Sequence, residues 1–153
     1  MFDIERLDAL GVDDLDAWLS RPLEARNGEM RCKVYRSTEP ITLSEFIPVL
    51  HDLGAIVTDE RPYELNIPSA GPSYIYDIGL RFPGPIDASD RSRFRDALLA
   101  VHRGACESDV LNRLVTTADL EWRDVAILRA YTRYLTQLGA RFSPTYVHEI
   151  VIQ

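Results

Sequence analysis

Residues 41–65 read ITLSEFIPVLHDLGAIVTDERPYEL, and this stretch decides the fold class. Thr42-Leu43-Ser44-Glu45 has the form of a capping box: the Thr42 hydroxyl can accept from the Glu45 amide while Glu45 reaches back. Ile41 before the cap and Phe46 after it fit a hydrophobic staple. Phe46, Val49, Leu50 and Leu53 recur at helical spacing, and Gly54 suits the left-handed residue that ends a helix. Pro48 deletes one amide bond, so the sequence predicts a kink there or a later start at Ser44. From Ala55 to about Thr58 a strand begins, which Arg61-Pro62 is expected to bend.

Upstream, Met30, Cys32 and Val34 alternate with Arg31, Lys33 and Tyr35, the period of a half-buried strand. Downstream, NIPSAGPS at 66–73 reads as a turn-rich loop. Tyr74, Tyr76, Ile78, Leu80 and Phe82 then alternate with Ile75, Asp77, Gly79 and Arg81, and Pro83-Gly84-Pro85 stops the strand. Asp87 to Asp90 can cap a helix carrying Phe94, Ala97, Leu98 and Val101 on one face. Residues 29–103 therefore read strand–helix–strand–strand–helix, with no fourth strand after them. Its place is open to the segment Ala17–Leu19, readable as a strand or as half a helix, or is left as a free edge.

Beyond residue 103 the pattern is helical. Val110, Leu111, Leu114 and Val115 are spaced for one face of a helix over 107–115. A longer helix from Asp119 to Gly139 has two apolar stripes, one through Val125, Leu128, Thr132 and Leu135 and one through Ile127, Tyr131, Tyr134 and Leu138. A surface helix needs one stripe, so two predict a helix sandwiched either within this chain or against a neighbour outside it. Ser143-Pro144 opens a last helix with Val147, Ile150 and Val151 at helical spacing. That helix meets no terminator, as expected of part of a longer protein.

Composition sets the outer limits. The chain has 153 residues, 46% apolar and 27% charged, as in one globular soluble domain. The net charge of −7 opposes nucleic acid and anionic membranes. No run approaches the length of a membrane span, and the acidic first thirty residues are unlike a signal peptide. Cys32 and Cys106 stand in no metal-type spacing, which fits a reduced, cytoplasmic setting. Lys33 is the only lysine against sixteen arginines.

Signals of chemistry are sparse. His51, His102 and His148 share no motif, and neither a nucleophile elbow nor a nucleotide-binding glycine loop is present. Asp59, Glu60, Arg61 and Glu64 read as a solvated strand end with one local ion pair. Cys32 fits a small core residue. Cys106 precedes a helix, whose dipole could lower its pKa, but no histidine lies near it in sequence. The aromatic row Tyr74, Tyr76 and Phe82 reads as cross-strand packing under helices rather than a base-stacking platform.

The segments KVYRS (33–37), the opening stretch (41–65), IYDIGLRF (75–82), RFRDALLAVHRGACESDVLNRLV (93–115) and WRDVAILRAYTRYLTQLGARFSPTYV (122–147) resemble, in the same order, the large bacterial NAD-dependent glutamate dehydrogenases. The resemblance covers roughly residues 21–150 and falls on the part of those enzymes that precedes the catalytic core. It implies an α+β fold, an ACT or ferredoxin-like βαββα(β) sandwich followed by a C-terminal helical segment. The implied division is an acidic N-terminal segment (1–28), an ACT-like domain (29–105) and a helical segment (106–153). It further implies a regulatory and assembly role with no catalytic, cofactor or metal residues in this chain, NAD being the parent enzyme's cofactor. The expected partners are other domains and subunits of a homo-oligomer. The alternative it offers is an amino-acid sensor, with the backbone amides at Thr42, Leu43 and Ser44 as the effector site. ACT modules that bind amino acids commonly use a glycine-containing loop there. Here the loop reads STEPIT (37–42), without glycine and with Glu39 opposing an anion.

Overall fold

The computed structural model describes residues 2–12, 14–67 and 71–138, Phe2 through its backbone alone. Its elements are α1 (Phe2–Asp8), β1 (Leu15–Ser20), β2 (Glu29–Ser37), α2 (Leu43–Asp52), β3 (Ile56–Ile67), β4 (Gly71–Arg81), α3 (Ala88–His102), a 3-10 turn (Val110–Arg113), α4 (Leu114–Thr117) and α5 (Trp122–Gln137). The four strands form one antiparallel sheet in the order β1-β2-β4-β3. The fold is thus α+β, a four-stranded sheet with helices and a C-terminal helical part.

Residues 17–19 settle as strand. β1 pairs antiparallel with β2, Ala17 opposite Val34 and Leu19 opposite Cys32, so the missing fourth strand comes from the N-terminal side. The alternation Leu15, Ala17, Leu19 is what allows it: all three are buried on the face that carries α2 and α3.

That face holds the main core. Met30, Cys32 and Val34 of β2 and Tyr76, Ile78 and Leu80 of β4 meet Phe46, Leu50 and Leu53 of the α2 region and Phe94, Ala97 and Leu98 of α3. Burial pushes the Cys32 thiol up to about 12, consistent with an inert core residue. The opposite sheet face carries a smaller cluster, Tyr35 and Ile75 under Leu7 of α1.

Several local expectations are corrected. The Thr42 side chain makes no capping hydrogen bond, so the predicted box with Glu45 does not form. Asp87 and Asp90 do form one, at the start of α3. α2 begins at Leu43 and runs through Pro48. β3 does not end at Arg61-Pro62 but continues as strand to Ile67, and Gly71–Ser73, expected as loop, belong to β4. Pro62 is tolerated because β3 is an edge strand, where a missing amide removes no ladder bond if it faces outward. Glu107–Val115 is not one helix: only Val110–Arg113 and Leu114–Thr117 are helical, as 3-10 turn and then α. The long helix starts at Trp122, since Asp119 has φ +56° and cannot be its first turn.

A bulge in β3 re-aims one acid. Val57 faces Leu80 and Asp59 faces Gly79, so one extra residue shifts the phase between them. Asp59 therefore crosses the sheet over Gly79 to Arg31 (2.5 Å), whose fork also takes the Asp77 side chain (2.8 Å) and carbonyl (2.9 Å). Its contact with Arg61, within the strand end, is 3.9 Å. The Arg31 hydrogen bond, ahead of any opposing burial, holds the Asp59 carboxyl below its ordinary range.

Gly28 closes the β1–β2 turn at φ +79°, and its carbonyl accepts from Phe82 N at 2.9 Å. A Cβ there would fall inside contact distance of the Phe82 carbonyl oxygen and 3.1 Å from that of Gly84. Gly28→Ala is expected to cost roughly 2–3 kcal/mol, a left-handed penalty plus backbone displacement. Urea unfolding would check this.

α1 is held by ions as much as by Leu7. Asp3 accepts from Lys33 Nζ and Tyr35 Oη, each at 2.6 Å. Arg6 pairs with Asp16 and lies over the Trp18 ring, 4.7 Å from its centroid. Burial raises the Asp3 pKa, but the bonds from Lys33 and Tyr35 outweigh it and the net shift is downward. A depressed carboxylate contributes stability above its unfolded value and loses it as pH falls through the folded one. Acidification below about pH 4 is therefore expected to release α1, and Asp3→Asn to remove that pH dependence. Amide exchange in residues 3–8 reads both.

Candidate functional site

Of the three predicted positions only Thr42 borders a cleft, of about 460 Å3, between the β2–α2 loop and the end of α3; Leu43 and Ser44 do not line it. Three elements build it. β2 contributes Arg36, the last residue of its helix-facing phase after Met30, Cys32 and Val34. α2 contributes Phe46 and Val49 to the floor and Glu45 to the rim, and α3 contributes Leu98, Val101 and His102. Leu15 completes the apolar floor.

The loop is pinned at both ends. Ile41 N donates to the Tyr76 hydroxyl at 2.8 Å, and Thr38 N to the Pro72 carbonyl at 3.0 Å. Between them Thr38 sits at φ +70°, with Glu39 N donating to Ser37 O at 2.8 Å, a tight three-residue turn. A β-branched residue is disfavoured at positive φ. The loop thus lacks a glycine yet adopts at Thr38 a backbone that glycine would take without strain.

Of the three sequence-predicted site residues, Thr42 and Ser44 are exposed, while Leu43 packs its side chain against the core. No described residue accepts from the Leu43 or Ser44 amide. The amides are thus available at the first turn of α2, where the helix dipole favours negative charge.

Charges of both signs line the cleft. Arg36 Nη1 and His102 Nε2 lie 3.3 Å apart, and Glu39 and Glu45 line the same cleft. Arg36 and His102 were missed in the sequence reading. Arg36 was legible, because a charged residue in the core-facing phase of a strand calls for a reason. His102 comes from 60 residues beyond Thr42 and had no local signal.

Several other chemistry-bearing side chains make contacts within the fold. Cys106 is buried beside Arg129, with Sγ 3.7 Å from Nη1. Arg129 is only 5% exposed and forks onto Asp109 (2.5 and 2.9 Å) and Asn112 (2.6 Å). The Asp109 hydrogen bonds push the Arg129 guanidinium pKa upward, so it stays charged. Tyr76 and Phe82 are buried and Tyr74 packs against the same core, as cross-strand packing requires. His51 is exposed, and His148 lies outside the described residues. Among the described residues no three potential metal ligands gather, and no helix is long and apolar enough to cross a membrane.

Comparison with known proteins matches two stretches of the chain. Residues 14–93 match the family model of the glutamate dehydrogenase ACT3 domain, and residues 106–153 that of glutamate dehydrogenase helical motif 3. The chain is 36% identical over 130 residues to an NAD-specific glutamate dehydrogenase of Pseudomonas aeruginosa, covering 83% of this chain and 8% of that protein. It is 34% identical over 132 residues to one of Halomonas elongata, covering 84% of this chain and 8% of that protein. Against one of Mycobacterium tuberculosis it is 34% identical over 119 residues, covering 72% of this chain and 7% of that protein. The chain thus spans less than a tenth of the length of these relatives. It belongs to the glutamate dehydrogenase ACT3 domain family and carries that enzyme's helical motif 3 after it.

Proposed function

We propose that this chain is a regulatory and assembly segment, without catalytic groups of its own, of a large cytoplasmic NAD-dependent glutamate dehydrogenase. The parent reaction would convert glutamate and NAD to 2-oxoglutarate, ammonia and NADH. The observation that carries this reading is the collinear match of both parts of the chain to two modules of such enzymes. The use of charge supports it: Arg31, Arg95 and Arg129 each reach acids on other elements and tie the fold together. The segment would pack against other domains of its own polypeptide and against further subunits of a homo-oligomer. The purified chain supplied with glutamate and NAD is expected to form no NADH above buffer. Steady glutamate-dependent NADH formation would overturn the reading.

A second reading, an amino-acid effector site, is favoured by the cleft that Thr42 borders. Its lining holds one guanidinium, Arg36, and two carboxylates, Glu39 and Glu45, beside apolar side chains, a mixture that suits a zwitterion better than a simple anion. A ligand at about one hundred times its dissociation constant adds roughly 2.7 kcal/mol. For a chain of this size that raises the unfolding temperature by roughly 5–10 °C. A panel of free amino acids giving no rise with any member would remove this reading.

A further inference from the structure

The two edges of the sheet differ. On β1 the outward backbone groups are already used: Arg95 Nε donates to the Ala17 carbonyl at 3.0 Å, and Ala17 N donates to Asp16 Oδ1 at 2.8 Å. β3, the opposite edge and the longest of the four strands, has no such cover among the described residues. Backbone direction alternates along the row Ala17–Val34–Tyr76–Pro62, which crosses all four strands. Because Ala17 faces out, Val34 and Tyr76 bond each other, and Pro62 faces out in turn. The outward groups of β3 are therefore those of Glu60, Pro62, Glu64 and Asn66, and Pro62 removes one donor from this edge without breaking the ladder. Tyr63 between them is 50% exposed. A long edge with free amides and carbonyls is a template for another strand.

We propose that this edge takes the β3 of a second copy of the chain, antiparallel, with the two-fold axis at Tyr63. A two-fold contact between identical strands is antiparallel by symmetry. Charge then selects the register. Centred on Asp59, Glu60, Arg61 or Glu64, the pair sets that residue against its own copy, and centred on Pro62 it sets Glu60 against Glu64. Like charges directly opposite destabilise a sheet. Centred on Tyr63, no like charges meet: Arg61 stands opposite Leu65, Asp59 opposite Ile67, Glu60 opposite Asn66 and Pro62 opposite Glu64. Residues 59–67 pair throughout, whereas centres nearer either end pair no more than 56–60 or 63–67 of β3. The outward amides of Glu60, Glu64 and Asn66 then reach the carbonyls of the second copy's Asn66, Pro62 and Glu60. The same register brings the second copy's Asn66 carboxamide towards Glu60, whose Oε1 has no donor among the described residues. This rests on the assembly reading and gives it a contact surface.

The test is disulfide cross-linking of the full 153-residue chain, whose own Cys32 and Cys106 are buried. Across the axis the two Tyr63 Cα atoms stand about 4.5 Å apart, as in a non-hydrogen-bonded pair, within reach of a disulfide. Two copies of Arg61, four residues out of register, lie about 13 Å apart. Under mild oxidation Tyr63→Cys is expected to form a covalent dimer at least ten-fold faster than Arg61→Cys. Asn66→Pro added to Tyr63→Cys removes an outward amide and leaves the bonds to β4, and is expected to slow the cross-link at least five-fold. Equal rates for Tyr63→Cys and Arg61→Cys, no cross-link in either, or no effect of Asn66→Pro would overturn the proposal. Any of these would remove this contact and not the assembly reading, which the mass of the full-length enzyme lacking the segment tests separately.

Discussion

Replacing Arg129 by alanine is expected to destabilise the chain by about 3 kcal/mol, while replacing Arg133 by alanine costs less than about 1 kcal/mol. The two arginines sit one turn apart on α5 and each pairs with an acid of the 106–113 segment. Burial separates them. The Arg133 and Glu107 side chains are 60% and 58% exposed, so water screens the pair. The Arg129 side chain is 6% exposed, and its fork answers Asp109 and the buried Asn112 together. Its removal strands both groups. Asp109 keeps part of its surface in water, which places the cost at the low end of the range for a broken buried pair. Arg129→Lys keeps the charge but not the planar fork, and is expected to recover less than half of the loss. Urea unfolding of the three variants gives the order directly. A loss in Arg133→Ala equal to that in Arg129→Ala would contradict it.

Phe94→Ala is expected to cost about 3–5 kcal/mol, a fall on the order of 10 °C in unfolding temperature. Phe94 is 1% exposed and meets Phe82 edge to face, ring centroids 5.5 Å apart. It lies where α3 meets the end of β4, among residues of the main core. Truncation opens a cavity under both elements, whereas Phe94→Leu keeps most of the volume and is expected to cost less than about 1.5 kcal/mol. Calorimetry of the two variants checks the difference.

How much of this was legible in the sequence depended on the range of the interaction. β2 and β4 were readable because period-two alternation is a local consequence of one buried face. The α3 cap was readable because Asp87 and Asp90 lie three residues apart and meet within one turn. Thr42 and Glu45 have the same spacing, yet no box forms, and Ile41 is held instead by Tyr76, 35 residues away. β3 was cut short because Pro62 looks like a breaker until the strand is known to be an edge. The fourth strand could be named only as an alternative, since the short run Ala17-Trp18-Leu19 fits strand or helix until Val34 and Cys32 are placed opposite Ala17 and Leu19.

The candidate site divides in the same way. Thr42, Leu43 and Ser44 were accessible from the loop and helix start, whereas the charge pattern of the cleft joins Arg36, Glu39, Glu45 and His102 across 66 residues of sequence. Of the two stripes on α5, periodicity gave the residues but not which stripe faces the core. That was set by Arg129, which lies on the Val125 side and locks onto Asp109 and Asn112.

The central proposal is that this segment serves assembly and regulation of a dehydrogenase whose chemistry lies elsewhere in the polypeptide. Comparing the assembled mass and the glutamate-dependent NADH formation of the full-length enzyme with and without residues 14–153 tests it most directly. A smaller assembly that still turns over glutamate is the predicted result. An unchanged assembly, or one that keeps its mass while losing all turnover, would contradict it.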